Sequence, residues 1–528
     1  MLGLQLVVAV GTAVLVGSVV ARRTSLPPSV VLLLTGVLIS VVPAFRGVGL
    51  PSEVVLLLFL PALLYWESLT TSLREIRRFL RGIVLTSTVL VVVTAGVVAV
   101  VAHGFGLAWG PAWVIGAAVA PTDATAVATL SGSLRRRDIT VLRAESLVND
   151  GTALVVYGLA IGVTTGQTSL DGWQLTGRFV LSFGGGLVLG LATGWVMYQV
   201  RRRLEDPLLG NTATLLTPFV AYLGAETVHT SGVLAVVTCG LFMSQVAPRA
   251  ITAQTRQQSQ AFWTLATYLL NGALFVLIGL QIPSAVNGLS SLSVSQAAGL
   301  SVAVYGTLLG VRFGFLNVTI VLIRVIDRRP QQRALRTTAR GRVVSTVAGL
   351  RGAVSLAVAL SVPESLPGGG AFPVRDAIVF VVAAVVLCSL VVQGLALPAV
   401  IRWAAAPADS SFTDELHLAK RTATEQALEA LPGLASEHDA TPEVEAQLRS
   451  EYEEHLAALR AHEDGDDDDP SLQRVAQYAT LRRALLAHKR ATVIGLRDSD
   501  VIDDTVLRRI QTQLDVEEVR LSGPQQVD

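Results

Sequence analysis

The chain has 528 residues and a formal net charge of +1; 51% of its residues are hydrophobic and only 15% are charged. That balance excludes any argument from overall charge for nucleic-acid binding or an acidic substrate. The two cysteines, Cys239 and Cys388, both sit inside apolar runs, which leaves no metal-ligand spacing and reads them as packing residues rather than a disulfide.

Apolar runs of bilayer-spanning length lie near 4 to 20, 28 to 45, 51 to 66, 82 to 103, 112 to 131, 141 to 163 and 178 to 200. Others follow near 209 to 228, 232 to 247, 262 to 284, 295 to 323, 343 to 363 and 376 to 401, giving about thirteen spans. The first run is followed by Arg22 and Arg23 and has no basic leader, so it reads as a retained helix rather than a cleaved signal. Every second connection is basic: Arg22 and Arg23; Arg74 to Arg81; Arg135 to Arg143; Arg201 to Arg203; Arg249 and Arg256; Arg324 through Arg342. Only Arg46, Arg178 and Arg375 interrupt the otherwise bare loops between them. The positive-inside rule therefore places the N-terminus outside and the C-terminus in the cytoplasm.

Beyond Trp403 the composition shifts to Glu, Ala, Gln, Arg and Leu, with apolar residues at helical spacing. The chain thus divides into a membrane domain, 1–403, and a cytoplasmic helical tail, 404–528. An acidic run near 463–470, closed by Pro470, reads as a solvated linker, because like charges repel and extend the chain.

Three polar anomalies interrupt the apolar pattern. In the sixth run, Glu145, Ser146, Asn149 and Asp150 cluster at hydrocarbon depth, with Ser146 beside Asp150 and Glu145 beside Asn149 at four-residue spacing. An ionisable group at the bilayer centre costs about 2.5–3.5 kcal/mol on insertion scales, so such a cluster marks an ion or proton pathway. In the fifth run, Pro121-Thr122-Asp123 interrupts the helix, and proline frees carbonyls near Val119 and Ala120 that suit a cation. A structural kink is the bland reading; the adjacent Thr122 and Asp123 favour a site. In the twelfth, Gly349-Leu350-Arg351-Gly352 puts a permanent charge inside a membrane helix, which requires an anionic partner. Glu145 is the candidate, in a structural pair that leaves Asp150 free to exchange ligands.

These segments resemble the monovalent cation/proton antiporter family (CPA1), which includes bacterial NhaP-type antiporters and animal sodium/proton exchangers. The resemblance rests on Pro121-Thr122-Asp123-Ala124, on Glu145 through Gly151, and on Ala225-Glu226 with Ser231 through Ala235. Gly349 through Leu356 completes it within the membrane region, and the tail from Leu481 through Asp515 also looks like that of bacterial members. Ala144 stands where many relatives have glycine, a difference expected to affect packing.

The resemblance implies an all-α polytopic membrane fold of the NhaA type, built from inverted repeats. Its interrupted fifth and twelfth spans cross inside a core (helices near 82–163 and 295–401) that moves against dimerisation helices in a homodimer. It implies Asp150 as the carboxylate that binds ion and proton, Thr122 and Ser146 as sodium ligands with it, Asp123 as a nearby polar contributor, and a Glu145–Arg351 pair. Glu67 matches an acidic position that contacts the ion through water in some members; an interfacial glutamate is the equal alternative. Asn149 stands where relatives with a second aspartate move two protons per sodium, which implies electroneutral one-for-one exchange here.

A carboxylate that holds a proton or a cation, but not both, couples the two flows. Protons and sodium then compete, and activity falls at acidic pH. The expected cargo is Na+ and H+ across the plasma membrane, with no cofactor, no nucleic acid and no enzymatic chemistry, since no serine-histidine or metal-ligand arrangement occurs at depth. Potassium/proton exchange and, from another class, a passive cation channel are the alternatives. His103 and His229 read as solvated or hydrogen-bonded span ends, Glu226 as a helix contact, and Arg312, deep in the eleventh span, as paired with an acidic residue or snorkelling.

Overall fold

The computed structural model describes residues 2–24, 26–42, 55–123, 136–166, 172–250, 252–326, 338–366, 370–404, 411–464 and 470–522. Arg46, Ala124 and Thr125 of the proline motif, Arg135, most of the basic run between Arg324 and Arg342, and the acidic run from Gly465 to Asp469 lie outside these residues. The described residues are helical, with a single antiparallel bridge between Ser365 and Ala371. They form two compact units, Met1–Pro407 and Ala408–Asp528.

The first unit opens with α1 (Leu2–Arg23), α2 (Pro28–Ser40) and α3 (Leu60–Thr70), the last preceded by a π-helical turn, Val55–Phe59. Next, α4 (Leu73–Val84) runs through a second π-turn, Leu85–Val89, into α5 (Leu90–Gly104), and α6 (Trp109–Val119) follows. Then come α7 (Arg136–Thr164), α8 (Gly172–Arg201), α9 (Pro207–Thr227), α10 (Gly232–Ala250), α11 (Ala253–Asn287) and α12 (Val294–Ile326). A broken pair, α13 (Ala339–Val347) and α14 (Ala353–Leu360), precedes α15 (Arg375–Cys388), the π-turn Ser389–Gln393 and α16 (Gly394–Ala404). Helix starts carry the expected caps: Ser72 accepts from Glu75 N at 3.4 Å, Asp206 from Leu208 N at 2.8 Å with Pro207 at the first helical position, and Thr338 from Gly341 N at 3.0 Å.

Among the described residues eight helices are long and apolar enough to cross a membrane, and four more apolar helices are shorter: Pro28–Ser40, Leu57–Thr70, Trp109–Val119 and Gly232–Ala247. The thirteen-span reading therefore depends on crediting short and broken helices as crossings. One predicted loop is a helix: Arg74, Arg77, Arg78 and Arg81 lie on α4, which continues into the membrane run as one element, Leu73–Gly104. Ser72 caps the start of that helix, and its four arginines are exposed.

Side chains of α1, α2, α5, α6, α11, α12, α14 and α15 merge into one apolar core, and a second cluster joins α3, α7, α9, α10 and α11. Where α2 meets α11 the backbones touch: a Cβ on Gly36 would strike the Val276 carbonyl, and one on Gly279 the Leu33 carbonyl. Such close approach is how helices associate where lipid removes the hydrophobic drive between them.

The second unit contains α17 (Ser411–Glu437), α18 (Pro442–Asp464), α19 (Pro470–Asp498) and α20 (Asp504–Ser522). Ion pairs join its helices: Arg460 to Glu425 at 2.8 Å, Arg482 to Glu517 at 2.6 Å, and Arg490 to Asp515 at 2.7 Å and to Glu518 at 2.6 Å.

Candidate functional site

Two breaks in helical backbone meet at the centre of the membrane unit. Helix α6 stops at Val119, two residues before Pro121, which disfavours helix in the residue ahead of it. The α13–α14 break at 348–352 coincides with Gly349 and Gly352. The breaks touch directly, with Asp123 N donating to the Leu350 carbonyl at 2.8 Å. A Cβ on Gly352 would collide with the Asp123 carboxylate, so only glycine admits this crossing.

On α7, Ser146 Oγ donates to the Thr122 carbonyl at 2.9 Å and Asn149 Nδ2 to Thr122 Oγ1 at 2.6 Å. Thr122, Glu145, Ser146, Asn149 and Asp150 are all buried. The α7 register thus brings the polar cluster against the unwound segment after α6. The carbonyl held by the serine is that of Thr122, just past Pro121, and not one of those near Val119 and Ala120 expected to be freed by the proline.

A cavity of about 50 Å³ lies beside this crossing. Its polar lining is Glu67 from α3, Thr122 and Asp123, Ser146 and Asp150 from α7, Asn271 from α11 and Ser355 from α14. Apolar residues Phe59, Leu60, Leu63, Leu64 and Leu274 complete the wall on the side of α3 and α11. A water needs roughly 10–15 Å³ by this measure, so a partly dehydrated alkali cation fits. The Asp150 carboxylate makes no hydrogen bond to another described residue, which leaves its oxygens for a ligand.

A smaller cavity of about 10 Å³, lined by Thr86, Thr94, Thr122, Glu145, Asn149, Arg312 and Arg351, lies behind Thr122. The expected ion-binding residues therefore separate. Glu67, Thr122, Asp123, Ser146 and Asp150 share the larger cavity, while Asn149 lines only the smaller one and reaches the first through its bond to Thr122.

The expected Glu145–Arg351 pair is corrected. Glu145 Oε1 pairs with Arg312 Nη1 at 2.5 Å, both side chains 4% exposed, and Arg312 Nε also donates to the Ser345 carbonyl at 2.9 Å. Arg351 lines the same small cavity, but its Nε and Nη1 have no hydrogen-bond partner among the described residues. The eleventh-span arginine reaches the glutamate because α12 packs against both α5 and α13, over the break. Glu226 accepts from Gly232 N at 3.3 Å and so caps α10, and His103 bonds the Leu107 carbonyl at 2.7 Å.

The profile of the family described as "Sodium/hydrogen exchanger, transmembrane" matches residues 10–403. The chain belongs to that family. It is an integral membrane protein of a family of antiporters, not of enzymes. Over 526 residues the exchanger is 43% identical to an uncharacterised Na+/H+ exchanger of Mycobacterium tuberculosis (strain ATCC 25618 / H37Rv), covering 99% of this chain and 97% of that one. It is 30% identical over 404 residues to the sodium, potassium, lithium and rubidium/H+ antiporter of Bacillus subtilis (strain 168), covering 71% of this chain and 57% of that one. Its fold matches that of the sodium proton antiporter MjNhaP1 from Methanocaldococcus jannaschii at pH 8, with a TM-score of 0.57 at 18% identity, over 75% of the exchanger and 100% of that chain.

Asn271, Ser355 and the partner of Arg312 were not assigned from sequence. Asn271 and Arg312 each break an apolar run, a signal as plain as the one that exposed Arg351. Ser355 gives no such signal, since a serine in a membrane helix ordinarily bonds its own backbone. Here its buried hydroxyl has no partner among the described residues.

Proposed function

We propose that this exchanger moves a monovalent cation, sodium by preference, against protons across the plasma membrane, one for one, by alternating access at Asp150. The observation that carries the reading is the Asp150 carboxylate facing a cavity with Thr122 and Ser146 at the meeting of two broken helices. Sodium sits between Asp150, Thr122 and Ser146, with Asp123 adding negative potential and Glu67 reaching the ion through water. A cation entering this space sheds hydration and regains oxygen ligands from carboxylate, hydroxyl and broken-helix backbone. A proton on Asp150 removes the charge that holds the cation, so the site carries one or the other. Asn149 contributes no second titrating charge and steadies Thr122, which supports electroneutral exchange. Apolar Leu60, Leu63 and Leu274 keep water from bridging the site to both sides at once.

The working form is a homodimer of thirteen-span protomers with an NhaA-like inverted repeat, N-terminus outside and helical tail, 404–528, in the cytoplasm. The reading makes it a contributor to pH and sodium homeostasis. The cation range in the name of the Bacillus subtilis relative favours a second reading, in which potassium and lithium share the same site.

The test is acridine-dye fluorescence in everted vesicles challenged with sodium, potassium and lithium, comparing the parent with Asp150→Asn. Cation-induced dequenching is expected in the parent, independent of membrane potential, and none in the variant at equal protein level. Dequenching at the parental rate in Asp150→Asn refutes the assignment, and flux that follows the potential identifies a channel.

A further inference from the structure

The α13–α14 break strips backbone groups of their helical partners on both sides, and in a bilayer no water replaces them. Two of those groups are satisfied by one pair of side chains from the π-turn between α15 and α16. Arg351 N donates to Ser389 Oγ at 2.8 Å, Ser389 Oγ donates to Gln393 Oε1 at 2.5 Å, and Gln393 Nε2 donates to the Val347 carbonyl at 3.2 Å. The polarity of this chain is forced. A carbonyl only accepts, so the Gln393 amide must present nitrogen to Val347 and oxygen to Ser389, and the serine proton then points away from Arg351. Both side chains are buried, Ser389 at 0% and Gln393 at 4% exposure. A π-turn inside an α-helix is a costly irregularity that recurs at functional sites. Here it coincides with the two polar residues that the break requires.

We infer that Ser389 and Gln393 form a hydrogen-bonded strap that clamps the last carbonyl of α13 to the approach of α14, and that they are positioning residues for the cation site. The strapped segment carries two contacts to Asp123: the Leu350 carbonyl, which accepts from Asp123 N, and Gly352, against which the Asp123 carboxylate packs. Asp123 follows Thr122 in the chain, and Thr122 is the residue that Ser146 and Asn149 hold. Loosening the strap therefore displaces ligands of the proposed site, although Ser389 and Gln393 do not line the cavity. The inference rests on the Asp150 reading above.

The test measures apparent KM for sodium and lithium, maximal rate and thermal melting in Ser389→Ala and Gln393→Met. Ser301→Ala serves as control, because among the described residues that buried serine bonds only the Ala297 carbonyl of its own helix, at 2.8 Å. Ser389→Thr is the rescue, since it keeps the hydroxyl. Loss of two hydrogen bonds predicts a rise in sodium KM of about threefold to tenfold in both strap variants, with a changed sodium-to-lithium ratio and maximal rate within about twofold. Ser389→Thr and Ser301→Ala stay within about twofold of the parent KM on the same scale. Gln393→Glu keeps the shape but cannot donate to Val347 as a carboxylate; it is expected to move KM in the same direction and keeps the test readable should the other variants not fold. KM and selectivity at parental values in the strap variants, with melting lowered no differently from Ser301→Ala, overturn the inference. Transport at the parental rate in Asp150→Asn would instead overturn the underlying reading, whatever the strap variants show.

Discussion

The pairing of Glu145 with Arg312 gives a sharp quantitative expectation. The two groups meet at 2.5 Å with both side chains 4% exposed, so removing the arginine alone leaves a carboxylate buried without its counter-charge. Breaking one side of such a pair costs about 3–5 kcal/mol, and Arg312→Gln is expected to lose that much. Glu145→Gln strands the cation and is expected to cost a similar amount, about 3–5 kcal/mol. The double variant Glu145→Gln/Arg312→Gln removes both members of the pair, leaves Arg351 as the cavity's one remaining charge and so restores its net charge, and loses mainly the bond from Arg312 to Ser345, so it should return to within about 1–2 kcal/mol of the parent. Arg351 already has unpartnered nitrogens, so Arg351→Gln costs less than Arg312→Gln, and adding it to Glu145→Gln brings no comparable recovery. The assay is unfolding of the purified protein by sodium dodecyl sulfate titration in mixed micelles, which yields free-energy differences for the double-mutant cycle. Recovery in Glu145→Gln/Arg351→Gln but not in Glu145→Gln/Arg312→Gln would refute the reasoning.

Gly352→Ala is expected to abolish exchange with near-normal protein levels, measured in the same vesicles, because its methyl group occupies the place of the Asp123 carboxylate. Asn271→Ala, which removes an amide from the opposite wall, and Glu67→Gln, which removes a negative charge from it, are expected to raise the sodium KM by about threefold to tenfold while exchange persists, read from initial rates against sodium concentration. Competition between one proton and one cation for Asp150 predicts that the apparent sodium KM rises by about tenfold per pH unit on the acidic side, with maximal rate unchanged; a KM that stays flat with pH contradicts competition.

Much of this site was legible in the chain because its signals are local. A carboxylate such as Asp150 in an apolar run stands out without knowledge of any neighbour, since hydrocarbon penalises it wherever the helix packs. Pro121 and the glycines at 349 and 352 mark helix breaks for reasons confined to their own backbone. Loop and helix boundaries were less legible: Arg74 to Arg81 read as a connection, yet a capped helix start draws them into α4.

What the sequence determined by itself, then, is the helical membrane character, the two interruptions and the polar cluster from Glu145 to Asp150, because each follows from the cost of placing a given group in lipid. The tertiary structure decided which groups meet. Of the two arginines at depth the sequence pointed to Arg351 as the partner of Glu145, whereas the one that pairs with it, Arg312, lies 167 residues away in the chain. The division of the polar residues between two cavities, the wall that offers Asn271, and the strap from Ser389 and Gln393 across the break were settled in the same way. Pairing energy falls off over a few ångströms, and such distances are set by how spans far apart in the chain pack, which no local pattern encodes.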